Sequence, residues 1–179
     1  VLFRSLPDVD SVIVPIGGGG LISGISMAIK TLKPSCKIFG VQSEQTPGMS
    51  QLFKHQSAEN KLKRITTIAD GIAIKKPSKE MHEQFISKYV DDIVTVSDDE
   101  IAEAIVYLVE RMKTVTEGSG AVSFAGLMKH KLDYGKNVCV LLSGGNIDLN
   151  IVSKVIERGQ ITRGRLAKMS VVVEDMPGK

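Results

Sequence analysis

Four consecutive glycines, Gly17–Gly20, are the residues whose type and spacing point most directly to chemistry. An apolar, β-branched run ends at Pro15 just before them, and apolar residues return at helical spacing from Ile22 to Leu32. The pattern predicts a strand, a tight turn and a helix. Since the turn has no side chains, its amides and those of the first helical turn can approach an anion closely, and the helix dipole favours negative charge. We expect a phosphate site here; the alternative is a glycine-rich connection that only makes room for helix packing.

The spacing of the glycines distinguishes three phosphate-binding patterns. A P-loop requires lysine where Ile25 stands, so that pattern fails. A dinucleotide fingerprint requires a third glycine where Ile22 or Ser23 stands, although Glu44, after the next predicted strand, lies where a ribose-binding acid would be and keeps this alternative open. A monophosphate held by consecutive backbone amides fits the sequence best.

A second predicted strand also ends in glycines. The apolar run 137–142 is typical of a central parallel strand, and Ser143, Gly144, Gly145 and Asn146 follow it. Loops at the carboxyl ends of parallel strands lie at the same edge of a sheet, where ligands bind. The sequence therefore predicts one site built from the loops at Gly17 and Ser143.

The remaining pattern predicts an α/β fold with a mostly parallel, open sheet flanked by helices. Ser97 and Glu100 have capping-box spacing, which predicts a helix start. Further strands are predicted over 37–43, 93–96 and 168–175, and further helices over 49–55, 78–89, 122–131 and 149–158, the last closed by Gly159.

Composition excludes several function classes. The formal net charge of +3 is small and the basic residues are scattered, so we expect no nucleic-acid partner. No apolar run approaches the roughly 20 residues of a membrane helix. Cys36 and Cys139 lack metal-type spacing, which predicts reduced thiols, no metal site and a cytoplasmic location. The histidines (His55, His82 and His130) stand alone, and we expect surface or packing roles for them.

Five segments together, in this order, closely resemble the pyridoxal-phosphate-dependent threonine dehydratases (threonine ammonia-lyases). This group shares the tryptophan-synthase β-subunit-like fold with serine dehydratases and serine racemases. The resemblance covers about residues 7 to 165 and rests on residues 14–24, 69–71, 89–93, 98–101 and 142–148.

The resemblance implies a pyridoxal 5'-phosphate site. Its phosphate would lie on the amides of Gly17, Gly18, Gly19, Gly20 and Leu21, and Ser143 would contact the pyridine nitrogen. A neutral hydroxyl there does not hold the ring nitrogen protonated, which favours β-elimination over transamination. Gly71 would approach the ring through its backbone, and Glu117 would lie near the ring or else be a solvated carboxylate at a helix end. We expect Asn146 to tie down its own loop.

The resemblance also implies what these residues lack. The family's Schiff-base lysine lies in a Ser-x-Lys motif upstream of the glycine loop, and no lysine here has that setting. We therefore expect a fragment with no catalytic residue of its own, inactive alone. Serine racemases place metal-ligating acids at positions matching Gln42 and Gly48, neither of which is an acid, so a dehydratase is favoured over a metal-dependent racemase.

These implications lead to one functional hypothesis with two alternatives. We expect the parent protein to deaminate threonine, and also serine, to a 2-oxo acid and ammonia, in a homo-oligomer that has an amino-acid or nucleotide effector. The alternatives are a serine racemase or serine dehydratase of the same fold, and a non-catalytic module that senses a phosphate ligand or an amino acid. Residues 1–161 would belong to the catalytic domain, and 162–179 would begin a truncated ACT-like regulatory domain.

Overall fold

The computed structural model describes residues 2–56 and 65–172. The strands are β1 (Ser11–Pro15), β2 (Lys37–Ser43), β3 (Asp92–Val96) and β4 (Val138–Val140). They form one parallel sheet of order β3-β2-β1-β4, in which Ile13 pairs with Phe39 of β2 and with Val140 of β4. The predicted class, an α/β fold with a parallel sheet, is confirmed.

Helices and helical turns cover the sheet. The helices are α1 (Leu2–Ser5), α2 (Gly20–Leu32), α3 (Gly48–Phe53), α4 (Lys79–Met81), α5 (Ser87–Tyr89), α6 (Asp98–Tyr107), α7 (Gly118–Lys129) and α8 (Leu149–Thr162). A 3-10 turn spans Asp70–Ile72, and π-helical turns span His82–Ile86 and Leu108–Met112. None of the helices in the described ranges is long and apolar enough to cross a membrane.

The core has two parts, one on each face of the sheet. Successive side chains of a strand point to opposite faces, so Ile13 packs against α6 and α7, whereas Val12 and Val14 pack against α2. The capping box at the start of α6 is present: Glu100 N donates to Ser97 Oγ, and Ser97 N donates to Glu100 Oε2. Burial on both faces explains why the strand sequences are apolar without a polar alternation.

Within the sheet formed by the described residues, the run 137–142 does not form the central strand that its apolar sequence predicted. β4 covers only Val138–Val140, pairs with β1 alone among the described residues, and is partly exposed. Its side chains still reach both cores, Val138 and Val140 on one face and Cys139 and Leu141 on the other. The apolar sequence therefore indicates packing on both faces of the strand. Both an edge strand and a central strand can pack in this way.

Two helix boundaries also differ from the prediction. α8 continues through Gly159 to Thr162, because Gly159 is a point of close contact with α6 and not a helix terminator. α7 begins at Gly118, so the segment that interrupts the apolar periodicity is already its first turn.

The strand predicted over 168–175 is absent from its described part, residues 168–172. A strand needs a neighbour to accept and donate its backbone hydrogen bonds, and none of the described strands lies beside this segment. Residues 173–175 lie outside the described ranges.

Candidate functional site

A cavity of about 400 Å³ lies at the carboxyl edge of the sheet. It brings together all the residues that the sequence predicted for cofactor binding: Gly17, Gly18, Gly19, Gly20, Leu21, Gly71, Glu117 and Ser143. Pro15, Ile72 and Ser119, which were not predicted, line it as well. The loops after β1 and β4 thus open into the same space.

The glycine loop is fixed at two positions and open at two others. Gly19 has φ +100 and precedes the first residue of α2, and a Cβ atom there would lie 3.0 Å from side-chain atoms of Ile86 and Met49. A Cβ on Gly17 would lie 3.2 Å from Ile72 Cα. At Gly18 and Gly20, by contrast, a Cβ would meet no atom within 4 Å. The packed glycines hold the loop in place, and the open ones leave its backbone accessible.

The amides of this loop have no acceptor within the described part of the chain. Gly17, Gly18 and Gly19 donate no hydrogen bond to any of the residues that the structure describes. Gly20 and Leu21 are in the first turn of α2, where an amide has no intrahelical acceptor. Consecutive free N–H groups at the positive end of a 13-residue helix form a site for a small anion such as phosphate.

Asp98 holds the segment that leads to Gly71. This carboxylate is 9% exposed at the start of α6, where it accepts from Thr67 Oγ1 at 2.6 Å and from Ile68 N at 3.2 Å. The Thr67 hydroxyl oxygen accepts in turn from Ala69 N at 3.1 Å. Because the 3-10 turn Asp70–Ile72 follows directly, this network positions the backbone of Gly71 at the cavity wall.

The start of α7 forms the opposite wall. Glu117 is the residue before α7, and its side chain caps no helical amide, although its own amide donates to Gly144 O at 3.2 Å. A Cβ on Gly118 would collide with the carbonyl of Ile68, and one on Gly120 would lie 2.6 Å from Gly144 O. Glycines therefore let α7 pack, backbone to backbone, against both loops that reach the cavity.

Two hydroxyl groups of the cavity wall have no hydrogen-bond partner within the described residues. Ser143, at the end of the β4 run, is partly buried and makes no hydrogen bond there. Ser119 is 3% exposed, and its Oγ is fully buried without a partner. The sequence motifs did not indicate Ser119; its signal in the sequence was its place between Gly118 and Gly120, two residues after Glu117.

Other candidate residues lie away from the cavity. Asn146 is exposed and makes no hydrogen bond among the described residues, so the expectation that it ties down its loop is wrong; Ile147 N donates to Gly145 O instead. Glu44 is exposed and does not line the cavity, which removes the support for a dinucleotide site. His130 has a packing role, since its Nε2 lies 2.8 Å from Thr95 O.

Gln42 has a structural role at the position that matches a metal-ligating acid in serine racemases. Its side chain is buried, and Oε1 accepts from Met49 N at 3.1 Å and from Ser50 N at 3.0 Å. These are amides of the first turn of α3, so Gln42 satisfies two donors that the helix leaves unpaired. A Cβ on Gly48 would lie 2.9 Å from the ring of Pro77, which leaves no room for an acidic side chain there without movement.

Residues 2–144 match the family described as pyridoxal-phosphate-dependent enzymes. The chain belongs to this family. The match includes the glycine loop, the Gly71 turn, the start of α7 and Ser143. The resemblance that the motifs suggested and the cofactor they implied are thereby confirmed at the level of the family.

Several proteins similar to this chain are named for the deamination of threonine, and one similar structure is a serine racemase. The chain is 45% identical to an L-threonine ammonia-lyase of Thermotoga maritima over 178 residues, which is 99% of this chain and 44% of that protein. It is similar in structure to threonine deaminase isoform 2 of Solanum lycopersicum, with TM-score 0.76, 30% identity and coverage of 89% of this chain and 44% of the other. Maize serine racemase also has TM-score 0.76, at 29% identity and 86% and 48% coverage. The chain thus spans about half the length of its relatives or less.

The cavity of this pyridoxal-phosphate-dependent family member has groups suited to the cofactor. The amides of the glycine loop, which have no acceptor among the residues described, fit a phosphate. The hydroxyl of Ser143 is a neutral group that fits an uncharged ring nitrogen. The open space at Gly18 and Gly20 leaves that face of the loop free for a ligand.

Proposed function

We propose that the protein to which this chain belongs deaminates threonine, and also serine, to a 2-oxo acid and ammonia by pyridoxal-phosphate-dependent β-elimination. The observation that carries the proposal is the single cavity in which the free amides of Gly17–Gly20 meet Ser143, Gly71 and Glu117. Relatives named threonine ammonia-lyase support the choice of threonine as substrate.

The residues of this chain would hold the cofactor and set its electronic character. Gly17, Gly18, Gly19, Gly20 and Leu21 would bind its phosphate through their amides. When bound, the cofactor supplies an electron sink for the charge left when the α-proton of an amino acid is removed. Ser143 would limit that sink, because a hydroxyl does not carry the negative charge that keeps a pyridine nitrogen protonated.

Gly71 and Glu117 would complete the pocket around the ring. The backbone of Gly71 allows close approach from one wall, and the Glu117 carboxylate lies in the same cavity, uncommitted to helix capping. A carboxylate in this place can accept a proton or a hydrogen bond from a bound amino group. None of the residues predicted to bind the cofactor is the Schiff-base lysine. We propose that this lysine lies in a part of the protein outside the 179 residues of this chain.

The test uses the protein expressed from its complete coding sequence, purified with pyridoxal phosphate. We expect bound cofactor, visible as absorbance at wavelengths longer than those that the protein's own aromatic side chains absorb. We also expect formation of 2-oxobutanoate and ammonia from threonine. Cofactor binding without any turnover of threonine or serine would contradict the lyase assignment and favour a sensing module.

A serine racemase of the same fold is the second candidate, because maize serine racemase is one of the structural neighbours. Gln42 and Gly48 argue against a metal-dependent racemase, since neither offers a carboxylate. The same preparation distinguishes the two: a racemase converts L-serine to D-serine, whereas a lyase yields pyruvate and ammonia.

We further propose that residues from 162 onward begin an ACT-like regulatory domain that binds an amino-acid or nucleotide effector, and that the protein is a homo-oligomer. α8 ends at Thr162, which supports a boundary there. Light scattering of the purified protein, with and without candidate effectors, tests both statements.

A further inference from the structure

A buried hydroxyl group in the cavity wall has no hydrogen-bond partner among residues 2–56 and 65–172. Ser119 lies in the first turn of α7, is 3% exposed and lines the cavity. Its Oγ makes no hydrogen bond within the described part of the chain. An unsatisfied buried hydroxyl costs free energy. Among the partnerless buried side chains of the described residues, only that of Ser119 belongs to this cavity, where a bound group can pair with it.

The surroundings of Ser119 limit where this partner can be. On one side, a Cβ on Gly71 would lie 2.9 Å from Ser119 Oγ, so the hydroxyl stands directly beside the backbone that forms the cavity wall. Glu117 Oε1 would be 3.6 Å from the same Cβ position, so the carboxylate and the hydroxyl both lie close to the backbone of Gly71. Gly71 N already donates to Asp70 Oδ1 and does not need the hydroxyl as an acceptor.

We propose that Ser119 is a positioning residue whose hydroxyl donates a hydrogen bond to pyridoxal phosphate bound in the cavity between Gly71, Glu117 and the glycine loop. This inference rests on the proposed function, because it takes the cofactor as the ligand. It adds a polar contact from α7 to the contacts from the glycine loop and Ser143. The bond holds the cofactor against the wall at Gly71 and removes the cost of the unpaired hydroxyl.

The chain offers a matched control in Ser123, one turn later in α7. Ser123 is fully buried, and its Oγ likewise has no partner among the described residues, but it does not line the cavity. Ser119→Ala and Ser123→Ala therefore delete the same group from the same helix. Only Ser119→Ala should affect the ligand.

The experiment measures the dissociation constant of pyridoxal phosphate by absorbance and fluorescence, together with the thermal midpoint with and without it. The protein is expressed from its complete coding sequence. We expect Ser119→Ala to weaken cofactor binding by about 2- to 10-fold, the range for one neutral hydrogen bond. The cofactor-free midpoint should stay the same or rise, because an unpaired buried hydroxyl has been removed. Ser123→Ala should leave the dissociation constant unchanged.

Equal binding by Ser119→Ala and the wild type would overturn the inference, and so would an equal loss in both alanine variants. Ser119→Cys, which keeps the shape of the side chain but replaces the hydroxyl by a larger, weakly donating thiol, provides a second measurement if the alanine variant does not fold. Wild-type binding by the cysteine variant would also count against the hydrogen bond. A wild-type protein that binds no cofactor would contradict the proposed function itself, an outcome distinct from these.

Discussion

The amide of Glu117 donates a hydrogen bond to the carbonyl oxygen of Gly144 at 3.2 Å. This bond joins the start of α7 to the loop that follows β4, so the two cavity walls that carry Glu117 and Ser143 form one unit. Gly120 makes the contact close enough, because a Cβ there would lie 2.6 Å from the same carbonyl oxygen. The site therefore depends on a backbone contact between segments that are distant in sequence.

Gly120→Ala should separate these two walls. The added methyl group meets backbone atoms, which cannot rotate away as a side chain can, so we expect a loss of about 1–3 kcal/mol in the free energy of unfolding and weaker binding of pyridoxal phosphate. Chemical denaturation and a cofactor titration measure the two effects. Gly24→Ala is the control, since a Cβ at Gly24 meets nothing within 4 Å and alanine favours a helix. Unchanged stability of the Gly120 variant would contradict the close contact.

Two substitutions in the glycine loop should distinguish an effect on stability from an effect on cofactor binding. Gly19→Ala places a side chain at φ +100, next to Ile86 and Met49, and should cost about 1–2 kcal/mol of stability. Gly18→Ala has neither problem, so its stability should equal or slightly exceed that of the wild type. We expect the Gly18 variant to bind pyridoxal phosphate more weakly nonetheless, because the methyl group occupies the open face of the anion site. A Gly18 variant with wild-type affinity would argue against that face as the phosphate site.

Local sequence signals were reliable where a residue's role depends on its chain neighbours. The strand before Gly17, the capping box at Ser97 and the parallel βαβ unit follow from periodicity and short-range spacing. The residues expected to hold a cofactor line one cavity because both glycine loops leave the carboxyl edge of the sheet, which is a rule of topology.

The signals failed where the role depends on contacts between distant segments. The apolar sequence of β4 did not distinguish an edge strand from a central one, since its side chains reach both cores at the edge position that the strand has. Ser119 could not be distinguished from a polar helix residue until its missing partner and its place in the cavity were known. Asp98 has the local signature of a helix start, yet it also fixes the distant segment at Thr67.

Low pH should weaken the hydrogen bonds that join the chain just before β1 to the chain just before β4. Asp10 Oδ2 accepts from the amides of Asn137 and Lys136, each at 2.8 Å, and these bonds hold the pKa of Asp10 below its usual value of 3.8. The folded chain thus favours the ionised carboxylate, so the contribution to stability is present above about pH 3.8 and is lost as the pH falls through the lowered pKa.

Asp10→Asn should therefore lower the denaturation midpoint at pH 7, and the difference from the wild type should shrink as the pH falls below the usual pKa of aspartate. Denaturation curves at several pH values measure this dependence. Asp8→Asn, at an exposed position two residues earlier, controls for the change in net charge. A constant difference between Asp10→Asn and the wild type across that pH range would exclude the ionised carboxylate as its cause.

Gly159 tests the contact between α6 and α8, where the sequence predicted a helix end. In the structure it is buried within α8, and a Cβ would lie 2.5 Å from Val106 Cγ2 and 2.7 Å from Ala102 O. A terminating glycine would resist substitution because of its backbone conformation, whereas this glycine resists it because of packing, so Gly159→Ala should cost about 1–3 kcal/mol despite the helix propensity of alanine. Ser153→Ala, at an exposed position of α8, should be neutral or slightly stabilising. A double variant tests the same contact from the side of α6. Val106 of α6 can be shortened, so Val106→Ala combined with Gly159→Ala should recover part of the loss in stability. Denaturation of the two single variants and the double variant measures this coupling. Strictly additive losses would place the strain in the Ala102 backbone instead.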